Sequence, residues 1–172
     1  MDARCACGNV VLALAGAPVL TTTCYCADCQ SAAIHFEKRF GRALMSEDGG
    51  TDHVLWPKKA MTCLSGAEDL AEYRLNAHTH TRRVVATCCG TPMFLDFTKG
   101  SWVTLYRDRL APEDRPAIEM RVMLRDRVGK DRLPDDCRNL PRYSPRIFAC
   151  LLRTAAMQGF RRHPIGFVTR AL

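Results

Sequence analysis

The first thirty residues contain five cysteines at spacings typical of metal ligands. Two lie in the segment Cys5-Ala6-Cys7-Gly8, and three lie in the segment Cys24-Tyr25-Cys26-Ala27-Asp28-Cys29. Cysteines this close along the chain are strained as disulfides, but they can share one zinc ion. Tetrahedral Zn–S bonds of about 2.3 Å place the sulfurs roughly 3.7 Å apart. The spacing therefore predicts zinc bound by thiolates.

The first pair needs partners from elsewhere in the chain. On a flat strand the side chains of Cys5 and Cys7 would lie roughly 7 Å apart, about twice the distance that zinc allows. The segment must therefore curl into a knuckle, and Gly8 gives the backbone that freedom. Two ligands cannot close a tetrahedral site, and Cys88-Cys89-Gly90 is the obvious source of the others. The alternative is that these cysteines are buried apolar residues.

The second segment differs because it supplies three thiolates. Cys24, Cys26 and Cys29 leave a fourth position open, which is the pattern of a catalytic zinc. A thiol ligand bound at that position would be held as its thiolate. The alternative is a closed structural site, completed by one of Cys63, His35, Cys88 or Asp28.

The remaining candidate ligands are predicted to lie outside the metal sites. We expect Cys63 in the core, and Cys137 and Cys150 as incidental or packed residues. His78 and His80 have a spacing that metal binding allows, but a solvated loop pair is the simpler interpretation.

Short strands must position most of these residues. Apolar and β-branched runs between turn signals predict strands at 10–14, 19–24, 54–56, 61–64, 71–75, 82–87, 93–95, 102–106 and 118–124. A helix is predicted over 28–36, and a second from Pro145, after the N-cap Ser144, to about residue 158. Residues 131–141 read as an extended loop. The pattern predicts a mostly β fold with zinc knuckles at strand ends, a short helix and a C-terminal helix.

Composition favours a reduced, non-membrane protein. The chain has 172 residues and ten cysteines, and in a cytosolic chain such cysteines indicate metal or redox chemistry rather than disulfides. The apolar stretch 10–17 is too short to cross a bilayer and follows only one basic residue, so we expect neither membrane insertion nor secretion. The predicted location is the cytoplasm.

The net charge of +7 arises after residue 100, mostly from arginines. Such a segment could bind nucleic acid. Acidic residues are interspersed, however, as in Arg107-Asp108-Arg109 and Arg125-Asp126-Arg127. This mixing favours solvated ion pairs over a polyanion-binding track.

The order of the cysteine segments resembles a known family. Cys-x-Cys-Gly, then Cys-x-Cys-x-x-Cys, then a late Cys-Gly-Thr-Pro is similar to the glutathione-dependent formaldehyde-activating enzyme (GFA) family, which also includes centromere protein V. The likeness covers roughly residues 4–95 and includes 64–73, which resembles the family's Gly…Leu…Tyr hairpin. The resemblance implies a β-tent of small stacked antiparallel sheets. It also implies one or two zinc ions, held by Cys5, Cys7 and Cys89 and by Cys24, Cys26 and Cys29.

Three features depart from the family pattern. Ala86 stands where the family's late pair has its first cysteine, so Cys88 becomes the candidate fourth ligand if the backbone turns sharply near Gly90. Tyr25 stands where the family usually has histidine. The basic segment after residue 95 has no clear counterpart. With its Cys-Cys-x-Thr-Pro motif, the chain resembles a subgroup of the superfamily.

The resemblance implies a carbon–sulfur lyase acting on the adduct of a small aldehyde and a thiol such as glutathione. The rival is a non-catalytic zinc scaffold that binds protein or nucleic acid through its basic C-terminal part. Residues 1–128 are predicted to form the zinc-binding β domain, and 129–172 to form a loop and helix on it. The candidate cations near the zinc are Lys38, Arg39, Arg82 and Arg83, and the candidate proton carriers are Asp52 and Glu37.

Overall fold

The computed structural model describes residues 1–129, 131–161 and 163–172. Within these ranges the α-helices are α1 (Ala27–Phe40) and α2 (Pro145–Met157). The strands are β1 (Asp2–Arg4), β2 (Val11–Leu14), β3 (Leu20–Cys24), β4 (Thr51–Pro57), β5 (Met61–Ser65), β6 (Leu70–Tyr73), β7 (Thr81–Ala86), β8 (Thr91–Phe97), β9 (Trp102–Tyr106), β10 (Met120–Val122), β11 (Arg138–Asn139) and β12 (Arg170–Ala171).

These strands form two sheets, which confirms the mostly β prediction. The small sheet has the order β1-β2-β5 and is antiparallel. The large sheet has the order β11-β10-β3-β4-β9-β8-β7-β6-β12. Its central strands are antiparallel, but β10 pairs in parallel with both β3 and β11, and β12 pairs in parallel with β6. These parallel pairs extend the antiparallel centre at both ends.

The large sheet lies between the small sheet and the helices. Side chains alternate between faces along each strand. On one face Trp56 and Phe94 pack with Leu12 of the small sheet in one buried cluster. On the other face Val85 packs with α1 through Phe36, and Leu20 packs with α2 through Ile147.

Each of the nine predicted strands overlaps an observed strand. The additional strands β1, β11 and β12 have two or three residues each, which is too short for an alternating pattern to show. β11 lies inside the loop predicted at 131–141. The prediction for α1 was one residue short at its start and four short at its end. The helix continues to Phe40 and is capped by Gly41, whose φ of 65° allows its N–H to bond to the Glu37 carbonyl. No helix in the described ranges has the length and apolar character needed to cross a membrane.

A buried ion cluster stabilises the face of the large sheet opposite the helices. Lys58 Nζ lies 2.6 Å from Asp96 Oδ1, and Arg82 Nε lies 2.8 Å from Asp96 Oδ2. Lys58 also donates to the Phe97 carbonyl at 2.8 Å. The side chains of Lys58 and Asp96 are almost fully buried, so loss of the carboxylate would leave two cations without their shared partner.

Candidate metal centres and the adjoining cavity

Four thiols from two distant segments converge at one end of the molecule. The Sγ atoms of Cys5, Cys7, Cys88 and Cys89 all lie within 4.8 Å of one another. Sulfur–sulfur distances are 3.5 Å for Cys5–Cys7 and Cys7–Cys88, and 3.9 Å for Cys5–Cys88 and Cys88–Cys89. These values bracket the separation of roughly 3.7 Å expected around tetrahedral zinc. The donor set, here called the four-thiol cluster, therefore fits zinc.

The first two thiols lie in the curled turn between β1 and β2. Gly8 N–H donates to the Cys5 carbonyl at 3.0 Å, and Gly8 has a φ of 80°. The Val10 N–H donates to Cys5 Sγ at 3.2 Å. The turn is the knuckle that the spacing predicts.

The other two thiols lie in the turn between β7 and β8. This turn ends at Gly90, with a φ of 65°, so the backbone is not extended and the adjacent side chains of Cys88 and Cys89 can reach one centre. The two turns are also joined directly, since Ala6 N–H donates to the Thr91 hydroxyl at 3.2 Å. Cys88 thus provides a thiol in a chain that has Ala86 where the family pattern has cysteine.

The four-thiol cluster favours a thiolate at Cys89. Burial opposes ionisation there, but the Thr91 hydroxyl, 3.0 Å from Cys89 Sγ, and contacts with Cys7 lower the pKa of Cys89 to about 6. Burial and the contact with Cys7 raise the pKa of Cys88. Because metal ligation requires deprotonated thiols, one ligand is already in the form that zinc binds.

The second centre, here called the three-thiol cluster, lies at the start of α1. Cys24 ends β3, Cys26 is the N-cap of α1, and Cys29 lies in its first turn, with Cys29 N–H donating to the Cys26 carbonyl at 3.0 Å. Their Sγ atoms lie within 4.8 Å of one another. A helix N-terminus stabilises negative charge, which favours thiolates.

Without metal, the three-thiol cluster concentrates negative charge on one sulfur. Contacts with Cys24 and Cys29 lower the pKa of Cys26 far below its usual value. Contact with Cys26 raises the pKa of Cys24 to about 11, and contact with Cys24 raises that of Cys29. Cys26 is thus the thiolate of the group.

None of the four residues considered as a fourth ligand joins this cluster. Cys88 belongs to the four-thiol cluster. Cys63 is half-buried in β5, where its thiol donates to the Ser65 carbonyl at 3.3 Å. His35 stacks on Tyr73 at a centroid distance of 4.2 Å. Asp28 points into solvent on α1. In residues 1–129, 131–161 and 163–172, no fourth Cys, His, Asp or Glu completes the group.

A cavity of about 380 Å³ adjoins the three-thiol cluster between the large sheet and α2. Cys24 and Cys29 form part of its wall. The other lining residues are Leu20, Thr22, His53, Leu55, Leu95, Phe97, Trp102, Thr104, Val122, Tyr143, Ile147, Phe148 and Leu151. No Lys, Arg, Asp or Glu among the described residues lines this cavity, so its wall is largely apolar.

Two polar side chains of this wall were not singled out by the sequence. Burial lowers the pKa of His53 to about 4, which keeps the imidazole neutral, and its buried Nε2 has no hydrogen-bond partner among the residues described. The Tyr143 hydroxyl lies 3.8 Å from Cys24 Sγ. Burial and then the nearby Cys24 raise the pKa of Tyr143, so the hydroxyl stays protonated. Alternation along β4 hints at an inward His53, but no local signal connects Tyr143 with a strand 119 residues away.

Of the four candidate cations, Arg83 is the one placed on the helix face of the sheet. It is 2% exposed, and its Nη2 donates to the Asp28 carbonyl at 3.1 Å. It forms no ion pair within the described part of the chain. Its partner across β8 is Leu95, which lines the cavity. Arg82 instead faces the other way and binds Asp96.

The remaining candidates lie away from the cavity. Lys38, Arg39 and Glu37 are exposed near the end of α1. Asp52 accepts a hydrogen bond from the Thr23 hydroxyl at 2.6 Å, and strand alternation puts it on the face opposite His53. Neither predicted proton carrier therefore lies at the cavity.

The other cysteines and histidines join neither cluster within the described ranges. Cys137 Sγ accepts a hydrogen bond from Arg121 at 3.0 Å. Cys150 is half-buried in α2, and His78 lies exposed in the loop before β7. None of the ten cysteines forms a disulfide.

Of three comparisons with known proteins, one identifies a family. Its fold was compared with solved structures, and a Rhodobacter sphaeroides protein was found with a TM-score of 0.46 and 17% identity, covering 69% of this chain and 97% of that one. A search of curated proteins found no match. The family model described as "Glutathione-dependent formaldehyde-activating enzyme" matches residues 1–107, which is more than half of the chain. The chain therefore belongs to the glutathione-dependent formaldehyde-activating enzyme family.

Proposed function

We propose that the protein is a zinc-dependent carbon–sulfur lyase that cleaves, or forms, the adduct of a thiol and a small aldehyde. One zinc at the four-thiol cluster would hold the fold, and a second at the three-thiol cluster would serve the reaction. The observation that carries this proposal is the convergence of Cys24, Cys26 and Cys29 at a cavity wall, with no fourth protein ligand among the described residues. Family membership supports the reaction class, and glutathione is the thiol that the family's description names.

The proposed reaction needs no oxidant or reductant. The carbon–sulfur bond of the adduct breaks, its electron pair stays on sulfur, the hydroxyl on carbon loses its proton to become the aldehyde carbonyl, and the released thiol gains one proton. Bound zinc would hold the sulfur as thiolate and act as a Lewis acid. The chain's own residues would bind the adduct, exclude water and handle the proton.

Two wall residues suit those proton contacts. The neutral His53 has a buried, unpartnered Nε2 that can accept a hydrogen bond from the adduct's hydroxyl. The protonated Tyr143 hydroxyl, which lies beside Cys24, can donate a hydrogen bond to the sulfur of the adduct. We assign them these roles on position and protonation state together.

Arg83 supplies a compensating charge. Three thiolates with one Zn²⁺ carry a net charge of about −1, which is costly in a buried site. The guanidinium of Arg83 lies buried on the same face of the sheet, without a carboxylate partner in the described ranges. We propose that it offsets the charge of the loaded centre.

The scaffold alternative receives less support from the arrangement of the basic residues. Many arginines after residue 100 pair with acids, among them Arg121 with Asp136 at 2.6 Å and Arg146 with Glu119 at 2.8 Å. Such pairs reduce the charge available to a polyanion. A nucleic-acid function would show as salt-dependent binding of a labelled oligonucleotide.

Three finer assignments remain part of this proposal. We propose that the Cys-Cys-x-Thr-Pro motif marks a subgroup of the family. Residues 1–128 form the zinc-binding domain, with 129–172 as a loop and helix on it. None of the ten cysteines forms a disulfide, which suits a reducing compartment, and we place the protein in the cytoplasm on that ground.

Metal analysis combined with single substitutions tests the proposal. We expect about two zinc ions per chain, and about one in Cys29→Ser, which should stay folded but no longer exchange formaldehyde with its glutathione adduct in an NMR exchange assay. Cys150→Ser is the matched control, because this half-buried thiol lies outside both clusters, and it should keep both metals and the exchange. Full exchange by Cys29→Ser would contradict the proposed site.

A further inference from the structure

We propose that the cavity beside the three-thiol cluster binds a neutral, apolar substituent, so that the preferred adduct carries an alkyl or aryl group and is not the glutathione–formaldehyde adduct. The substituent is attached either to sulfur or to the aldehyde carbon, and its chemistry is the same in both cases. This inference rests on the proposed function, since it names the substrate class for the same site.

The chemistry of the wall disfavours a charged occupant. Leu20, Leu55 and Trp102 of the sheet face Ile147 and Leu151 of α2 across the cavity. Within the described residues no charged side chain lines it. Glutathione carries two carboxylates and an ammonium group, and burying these without partners is unfavourable. An apolar group gains free energy from the same burial.

The size of the cavity exceeds what formaldehyde needs. Formaldehyde contributes a single carbon to the adduct, whereas pockets for organic ligands typically range from roughly 300 to 1,000 Å³. The volume of about 380 Å³ lies in this range. Water is a poor alternative occupant, because a water molecule needs several polar partners and this wall offers few.

The apolar enclosure is built in part by residues outside the family match. Tyr143, Ile147, Phe148 and Leu151 form the α2 side of the wall, whereas the match ends at residue 107. Ile147 is only 6% exposed and packs with Leu20 and Leu55. The matched region therefore supplies the cysteines of the site, and the segment after residue 107 supplies one side of the cavity wall.

The position of the cavity connects it to the reacting atoms. Cys24 and Cys29 belong both to the three-thiol cluster and to the cavity wall. A substituent on an adduct bound at the cluster therefore has this apolar space beside it. His53 and Tyr143 provide polar contacts in the same wall.

The test is a chain-length series measured by calorimetry on the zinc-loaded protein. From ethanethiol to hexanethiol, we expect the Kd to fall about fourfold for each added methylene, until the cavity is full. The corresponding alkanols, which lack the thiol, should show the same trend at weaker affinity. The hexanethiol–formaldehyde adduct and the glutathione–hexanal adduct are then each competed against the glutathione–formaldehyde adduct. The tighter binder of the two shows whether the apolar group belongs on sulfur or on the aldehyde carbon.

Two neighbouring leucines provide a matched pair of variants. Leu151 lines the cavity, whereas Leu152 is 62% exposed and does not. Leu151→Trp should fill the space and abolish the chain-length trend, while Leu152→Trp should keep it. Thr104→Met fills the cavity from the sheet side and replaces Leu151→Trp if that variant does not fold.

The outcomes separate this inference from the proposed function. A flat series for both thiols and alkanols, or a trend that survives both filling variants, overturns the inference even if the glutathione–formaldehyde adduct is cleaved. A trend that the filling variants remove supports it. If that trend is found but no adduct of any kind is cleaved, the apolar site stands and the lyase proposal fails.

Discussion

Replacing both Cys88 and Cys89 by serine removes the two late ligands of the four-thiol cluster; Cys88 is exposed and Cys89 is half-buried, so the effect on packing is small. Cys88 Sγ lies 3.5 Å from Cys7 Sγ, and the two residues are 81 positions apart. A metal ion shared by the early and the late cysteines would close that long loop. Since neither late thiol remains in Cys88→Ser/Cys89→Ser, the stability lost in this double variant reports mainly the cross-link.

The expected magnitude follows from loop-closure entropy. Applied to 81 residues, the relation for cross-linked chains gives about 4.5 kcal/mol of stabilisation. The three-thiol cluster closes only the segment 24–29, for which the same relation gives about 2 kcal/mol. Since domains are stable by roughly 5–15 kcal/mol, the four-thiol cluster would carry a large share of the total.

Urea unfolding in the presence of zinc measures these differences. We expect Cys88→Ser/Cys89→Ser to lose about 4–5 kcal/mol and Cys29→Ser about 2 kcal/mol. Cys63→Ser is the control, as a half-buried thiol in β5 outside both clusters, and should change by about 1 kcal/mol or less. Equal losses in Cys88→Ser/Cys89→Ser and Cys63→Ser would refute the cross-link.

Three further changes test the surroundings of the site. Asp96→Asn leaves Lys58 and Arg82 without their shared carboxylate and should cost about 3–5 kcal/mol in urea unfolding; a loss below about 1 kcal/mol would count against a tightly coupled cluster. Arg83→Met should weaken cobalt binding at the three-thiol cluster about tenfold in a spectroscopic titration, since it removes a buried cation near a net negative centre; unchanged affinity would remove its assigned role. Because burial lowers the pKa of His53 from 6.5 to about 4, the unfolded chain takes up this proton first as the pH falls. The stability present above pH 6.5 is then lost towards pH 4, by about 2 kcal/mol between pH 7 and pH 5. In His53→Gln the stability should fall less between pH 7 and pH 5. Identical pH profiles of stability for this variant and the wild type would contradict a buried neutral imidazole at His53.

The two thiol clusters could be predicted because most of their ligands lie close together along the chain. The spacing of Cys5 and Cys7 requires a curled turn, and the following glycine allows one, so the knuckle was predictable from four residues. The pairing of this turn with Cys88 and Cys89 was predictable as well, since two ligands alone cannot close a tetrahedral site. The role of Cys88 depended on the backbone turn ending at Gly90, which only the structure shows.

The features that the sequence did not show depend on the register between distant strands. The sequence could not distinguish Arg83 from the three other candidate cations. Its pairing with Leu95 in the structure puts it on the helix face of the sheet. Tyr143 lies in a loop that no periodic pattern describes, and α2 brings it to Cys24. The cavity itself is the space between a sheet face and a helix, and no single segment encodes it.

The most direct test of the account is zinc-edge X-ray absorption on the purified protein. The wild type should show an average of between three and four sulfur neighbours per zinc at about 2.3 Å, with a minor shell of lighter atoms. In Cys29→Ser the remaining zinc should have four sulfurs and no light-atom neighbour. A first shell made mainly of nitrogen or oxygen, or protein that folds without any bound metal, would contradict the account.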